Sequence, residues 1–127
     1  RAFSLVEHDV AKRIATVRLQ SENGILDLLF ASSGLESETV RAAEQMELLP
    51  GVTLRVARVP HLMALKLLAR DDRTRPQDHT DLVALKAVAT SSDIETLREL
   101  VELILSRGYH RNRPLRDELD TFLSESR

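Results

Sequence analysis

The hydrophobic period of the chain changes at Pro60, and that change limits the fold more than any other feature of the sequence. Before Pro60 the apolar residues come in short, strand-like runs. Ala2–Glu7 and Ile14–Leu19 are β-branched and apolar with partial alternation, so both read as strands. His8–Arg13 between them is polar and turn-like. Asn23-Gly24 is a hairpin signal, because both residues tolerate positive φ. Ile25–Phe30 follows as an apolar run interrupted by one acid, the pattern of a central strand. Ser32-Ser33-Gly34 breaks the sheet. Glu36–Leu48 then reads as an amphipathic helix, with Val40, Ala43 and Met46 inward and the glutamates outward. Pro50-Gly51 marks a turn, and Val52–Val59 alternates as a further strand, with Val52, Leu54 and Val56 on one face.

From Pro60 onward the period is helical. Pro60–Arg70 is apolar nearly all round, which predicts a buried helix. Asp71–Arg75 is a charged loop. Pro76 suits a helix first turn, and that helix runs to about Ala89. Ser92-Asp93-Ile94-Glu95 fits a capping box opening a helix that ends near Gly108. A last helix spans Pro114–Leu123. Strands followed by helices predict an α+β fold: a mixed or antiparallel sheet from the first half, packed by a cluster of helices from the second. The expectation is one domain over residues 1–127, strand-rich with one helix over 1–59 and helical over 60–127. Arg1 runs straight into a strand pattern, so the domain is expected to be truncated at its N-terminus. A small apolar sheet lacking an element exposes an edge, which predicts a homodimer.

Composition narrows the function classes. The chain has 127 residues, 43% hydrophobic and 30% charged, which excludes a disordered tail. It has no cysteine, so disulfides and thiolate metal sites are excluded and a reducing, cytoplasmic location is expected. No apolar run approaches bilayer length, so no membrane partner is expected. The net charge of −2 gives no overall polyanion-binding field. There is no HExxH pair, Gly-rich phosphate loop or GxSxG elbow.

Four places could carry chemistry. Asp27 shares a strand face with Ile25 and Leu29, and a carboxylate in apolar company needs a partner or a cation. It is either a metal-binding or catalytic carboxylate or a hydrogen-bonded acid at a strand edge. Lys66 has only apolar direct neighbours, so it is either a phosphate-binding ammonium or a lysine whose stem covers apolar surface. Asp78 and Asp81 lie one helical turn apart and face one way. Asp78, in a first turn, also suits the helix dipole. The basic stretch Arg107–Arg113, with Tyr109, is either a surface for RNA or a solvated connection.

Three of these places, in order, resemble a known family. Gly24–Gly34 resembles the third-carboxylate strand of the AbiEii-type, abortive-infection toxin-like nucleotidyltransferases. Val56–Arg70 resembles their lysine helix. Arg73–Leu82, with Arg75, Asp78, Asp81 and Leu82, is similar to their "R-x-(K)-D-x-x-D-L" signature. The resemblance runs from about Arg18 to Leu85. It implies part of a DNA polymerase β-like nucleotidyltransferase fold. It further implies magnesium-dependent transfer of a nucleotide from a nucleoside triphosphate to a hydroxyl, on tRNA or another RNA acceptor, and an antitoxin or other protein partner. By the same resemblance Asp27, Lys66 and Asp81 would be catalytic, Lys66, Asp78 and Arg75 nucleotide-binding, and Asp27 a metal ligand.

The sequence departs from the family pattern at three points. No Gly-Gly or Gly-Ser turn leads into a D-x-D strand; Glu7-His8-Asp9 has the acid spacing without that lead-in, so the motif is expected before Arg1 and the isolated chain is expected to be inactive. His61 stands where toxin relatives often carry an acid, and Gln77 where a basic residue is common. The alternative reading is a non-catalytic protein- or RNA-binding module derived from the same fold.

Overall fold

The computed structural model describes residues 3–8, 14–21, 24–29 and 33–125, with side-chain surroundings given from Ser33 onward apart from Leu48. The chain divides into two compact units, residues 1–32 and 33–127, and each is described by itself. The class is α+β, as the change of period predicts.

The first unit is an antiparallel sheet in the order β1 (Phe3–His8), β2 (Ile14–Ser21), β3 (Gly24–Leu29). Val6 pairs with Val17, and Arg18 with Asp27. Ser21 opposite Gly24 closes the second hairpin where Asn23-Gly24 predicts it, with Asn23 itself outside the described residues. The central place expected for Ile25–Phe30 falls to β2, because strands joined by short hairpins neighbour each other in chain order. Phe30 also lies outside the described residues.

The second unit contains α1 (Glu36–Ala42), β4 (Glu44–Leu49), β5 (Val52–Val56), α2 (Val59–Ala69), α3 (Pro76–Val88), α4 (Ser91–Arg107) and α5 (Leu115–Ser124). Helix α2 touches α3, α4 and α5. Its near-continuous apolar character therefore has a use on several sides. Met63, Ala64, Leu67 and Leu68 of α2 are buried with Leu82, Leu97, Leu100, Ile104, Leu119 and Phe122. Full burial of one such leucine or phenylalanine stabilises by roughly 1.5–3 kcal/mol.

One predicted element is replaced. The helix expected over Glu36–Leu48 stops at Ala42, Ala43 turns extended, and Glu44–Leu49 forms β4. The cause is the Pro50-Gly51 turn. It folds β4 back on β5 in antiparallel register, Met46 opposite Leu54 and Leu49 opposite Val52. Those ladder bonds outweigh the helical period of the same residues, since α1 buries no side chain and is too short to be stable alone. Val40 and Met46, expected inward, are exposed. Strand β5 likewise ends at Val56 rather than Val59, because Pro60 sits in the first turn of α2.

The cap of α4 also differs. Its box is made by Thr90 and Asp93, not Ser92 and Glu95. The Asp93 N–H donates to Thr90 Oγ1 at 3.1 Å, and the Thr90 N–H donates to Asp93 Oδ2 at 2.9 Å. Two boxes two residues apart compete, and the upstream one wins because it starts the helix earlier. Gly108 ends α4 at φ 77°, a left-handed conformation that a side chain would strain.

Candidate functional site

A charge cluster joins α2 to α3. Lys66 projects from α2 after one more turn than Leu62, and the connection that follows is tightly held. Asp71 Oδ1 accepts the N–H groups of Arg73 and Thr74 at 3.0 and 3.3 Å. Arg70 donates to both oxygens of Asp72 at 2.8 and 3.1 Å. The Arg75 N–H donates to Asp71 O at 2.6 Å, and Pro76 then opens α3. This short, rigid link sets the first two turns of α3 beside Lys66.

There Lys66 Nζ donates to Asp81 Oδ2 at 2.9 Å and to Asp78 Oδ1 at 3.4 Å. Each carboxylate is tied by its other oxygen. Arg75 Nε donates to Asp78 Oδ2 at 2.7 Å, and Gln77 Nε2 donates to Asp81 Oδ1 at 2.8 Å. The Asp78 side chain is only 3% exposed, whereas those of Lys66 and Asp81 are 33% and 32% exposed. Burial alone would lower the Lys66 pKa, but the hydrogen bonds and charges of Asp81 and Asp78 outweigh it, and the pKa is raised. The Asp81 carboxyl is held below its ordinary value, first by the hydrogen bond from Lys66 and then by that from Gln77. Lysine and aspartate are therefore both charged at neutral pH. An ammonium has three donors. Two go to these carboxylates, and the remaining one suits an acceptor such as a phosphate oxygen.

The structure thus brings together Lys66, Asp78, Asp81 and Arg75, and adds Gln77, which the sequence marked only as a departure. Lys66 is not simply a stem covering apolar surface, and Asp78 does more than suit a dipole. Asp27 lies on β3 of the first unit, its backbone opposite Arg18. Among the described residues no group of three or more His, Asp or Glu side chains could hold a metal ion. All four oxygens of Asp78 and Asp81 already accept from Lys66, Arg75 and Gln77. This cluster does not fit a divalent ion.

The basic stretch near Tyr109 is partly exposed, but its arginines are tied to other parts of the second unit. Arg107 donates to Gly34 O at 2.5 Å and to Glu38 Oε1 at 2.6 Å. That bond, ahead of every other cause, lowers the Glu38 pKa to about 2. Arg113 donates to the Leu67 and Leu68 carbonyls and to Glu118. Arg116 donates to both oxygens of Glu102 at 2.7 and 2.8 Å. The Tyr109 ring covers Gly34 so closely that a Cβ there would sit 2.8 Å from it. These residues brace the helices. No local spacing in the sequence announces bonds that span more than forty positions, such as Arg113 to Leu67.

His61 is buried in the first turn of α2 with no hydrogen bond at Nδ1 among the described residues. Burial, then the nearby Arg58, pushes its pKa down. Among the described residues, no helix is long and apolar enough to cross a membrane.

Compared with known families, the chain falls among the nucleotidyl transferases. It belongs to the family described as the nucleotidyl transferase AbiEii toxin of type IV toxin–antitoxin systems, whose model matches residues 13–126. The match extends past the motifs to include the C-terminal helices. No individual curated protein matches the chain.

Proposed function

We propose that the Lys66 cluster is the phosphate-contacting part of a nucleotidyl transfer site. The observation that carries this reading is the Lys66 ammonium held charged between Asp78 and Asp81. In the reaction an acceptor hydroxyl oxygen bonds to the α-phosphorus of a nucleoside triphosphate. The bond to pyrophosphate breaks, and the hydroxyl proton leaves to a base. Lys66 offsets negative charge on the phosphates. Asp81 and Asp78 orient it, and Arg75 steadies Asp78 while its guanidinium borders the nucleotide. Asp27 is assigned the catalytic and metal-binding carboxylate, and the magnesium requirement rests on it rather than on the Lys66 cluster. The acceptor is a hydroxyl on tRNA or another RNA, in the cytoplasm, and family membership supports control by an antitoxin. These 127 residues contain no Gly-Ser turn leading into a D-x-D strand, so the chain alone is inferred not to turn over.

Calorimetric titration of magnesium with a nucleoside triphosphate tests this reading. Binding is expected to require magnesium and to be lost in Asp27→Ala. In Lys66→Ala it should weaken by roughly tenfold or more, the effect of removing a hydrogen bond to a charged group. Equal affinity in the parent and Lys66→Ala would overturn the assignment.

A second reading, a non-catalytic protein-binding module, is favoured by the β4–β5 hairpin. Met46, Leu49, Val52 and Leu54 are 44–65% exposed there. Complete absence of nucleotide binding would bring that reading forward.

A further inference from the structure

The two aspartates that hold Lys66 share one construction. Each gives one oxygen to the ammonium, and each has its other oxygen tied to a residue at or just before the start of α3. For Asp78 that residue is Arg75, three positions earlier, and for Asp81 it is Gln77, four positions earlier. The two carboxylates differ in how much they need the tie. Asp78 is buried and has little freedom to turn away. Asp81 is about a third exposed, and water competes for both of its oxygens. A single-bonded carboxylate at such a place rotates about χ2 and shares its time between lysine and solvent. Gln77 removes that freedom by occupying Oδ1, which leaves Oδ2 directed at Lys66 Nζ.

We infer that Gln77 is a positioning residue for the Lys66 ammonium, acting through the Asp81 carboxylate. The side-chain type matters. Within the cluster Lys66 is shared by two carboxylates, Asp78 and Asp81, and Asp78 is shared in turn with Arg75. An amide at residue 77 orients Asp81 without drawing on its charge. A lysine at the same place would also reach Asp81, but it would compete with Lys66 for that charge. Gln77 therefore leaves the whole Asp81 charge to Lys66. The inference rests on the proposed function only in calling Lys66 the phosphate contact; the positioning itself requires no nucleotide.

The test is NMR on the full chain, which has only three lysines, Lys12, Lys66 and Lys86, so the Lys66 ammonium is readily assigned. In Gln77→Ala the Lys66 ammonium protons should exchange with water roughly twofold faster, the scale of one exposed glutamine–aspartate pair on a helix. The Asp81 carboxyl should titrate higher and Lys66 lower than in the parent. In Gln77→Lys, Asp81 should stay low while the Lys66 titration still falls, which separates orientation from charge. Gln77 is exposed, so both variants should keep the backbone amide spectrum of α3. Unchanged Lys66 exchange and Asp81 titration in Gln77→Ala would overturn the inference. The expected NMR changes in a chain that binds no nucleotide would uphold Gln77 and defeat the nucleotide reading instead.

Discussion

Asp78 is the residue on which the cluster turns, since it is buried and accepts from two cations that are only partly so. Asp78→Ala removes both bonds and leaves Lys66 and Arg75 facing each other without a shared counter-charge. We expect a loss of about 2–3 kcal/mol in urea unfolding, the range for hydrogen bonds to charged groups. Asp78→Asn, which keeps the acceptor oxygen, should lose less. Much of this cluster was legible in the sequence. A lysine amid apolar neighbours and two aspartates one turn apart are local patterns with a physical meaning, and the structure joins them. Gln77 was not legible in the same way. A glutamine in a first turn is an unremarkable surface residue until its amide is seen against an aspartate oxygen. Arg107, Arg113 and Arg116 illustrate a different gap. Clustered in sequence, they resemble a polyanion surface, yet each is paired within the chain: Arg113 partly buried against the end of α2, Arg107 and Arg116 in exposed pairs with Glu38 and Glu102.

At the scale of elements, strong local signals set where helices begin and end, and pairing partners set the rest. The cap of α4 is a direct case. Thr90→Ala removes the acceptor for the Asp93 N–H and should destabilise the chain by about 1 kcal/mol in thermal unfolding, the usual effect of losing an N-cap. Ser92→Ala, at the box that is not used, should be nearly neutral. The residues Glu44–Leu49 show the limit of periodicity. Their spacing suits a helix, and nothing within them declares that β5 will pair with them. The turn that decides the matter, Pro50-Gly51, lies just beyond. Helices α2, α3 and α5 were easier because a proline lies at or beside the start of each one.

At the scale of the molecule, acid sensitivity follows from several depressed groups in the second unit, among them Glu38, Asp81 and His61. Glu38, braced to Arg107, has its pKa lowered from 4.5 to about 2. The unfolded state therefore binds the proton first, and the stability Glu38 contributes is full above pH 4.5 and lost as pH falls from there toward 2. His61 has its pKa lowered below 6.5, by burial and by Arg58, against the opposing pull of Glu38. Its unfolded form again takes the proton first, so stability declines as pH drops below 6.5. The urea midpoint should therefore fall in two stages between pH 7 and pH 3. Glu38→Gln should shrink the lower stage, to which the Asp81 carboxyl also contributes, and leave an upper stage in place, whereas an unchanged profile would refute the assignment. The order in which the chain is made gives the Arg113 contacts another meaning. The carbonyls that end the lysine helix wait for a guanidinium 46 residues downstream. At ribosomal speeds of about 5–20 residues per second, that is an interval of roughly two to nine seconds. Until it passes, the last carbonyls of the helix that carries Lys66 lack their guanidinium, so the nascent chain emerges with that end of the helix still open.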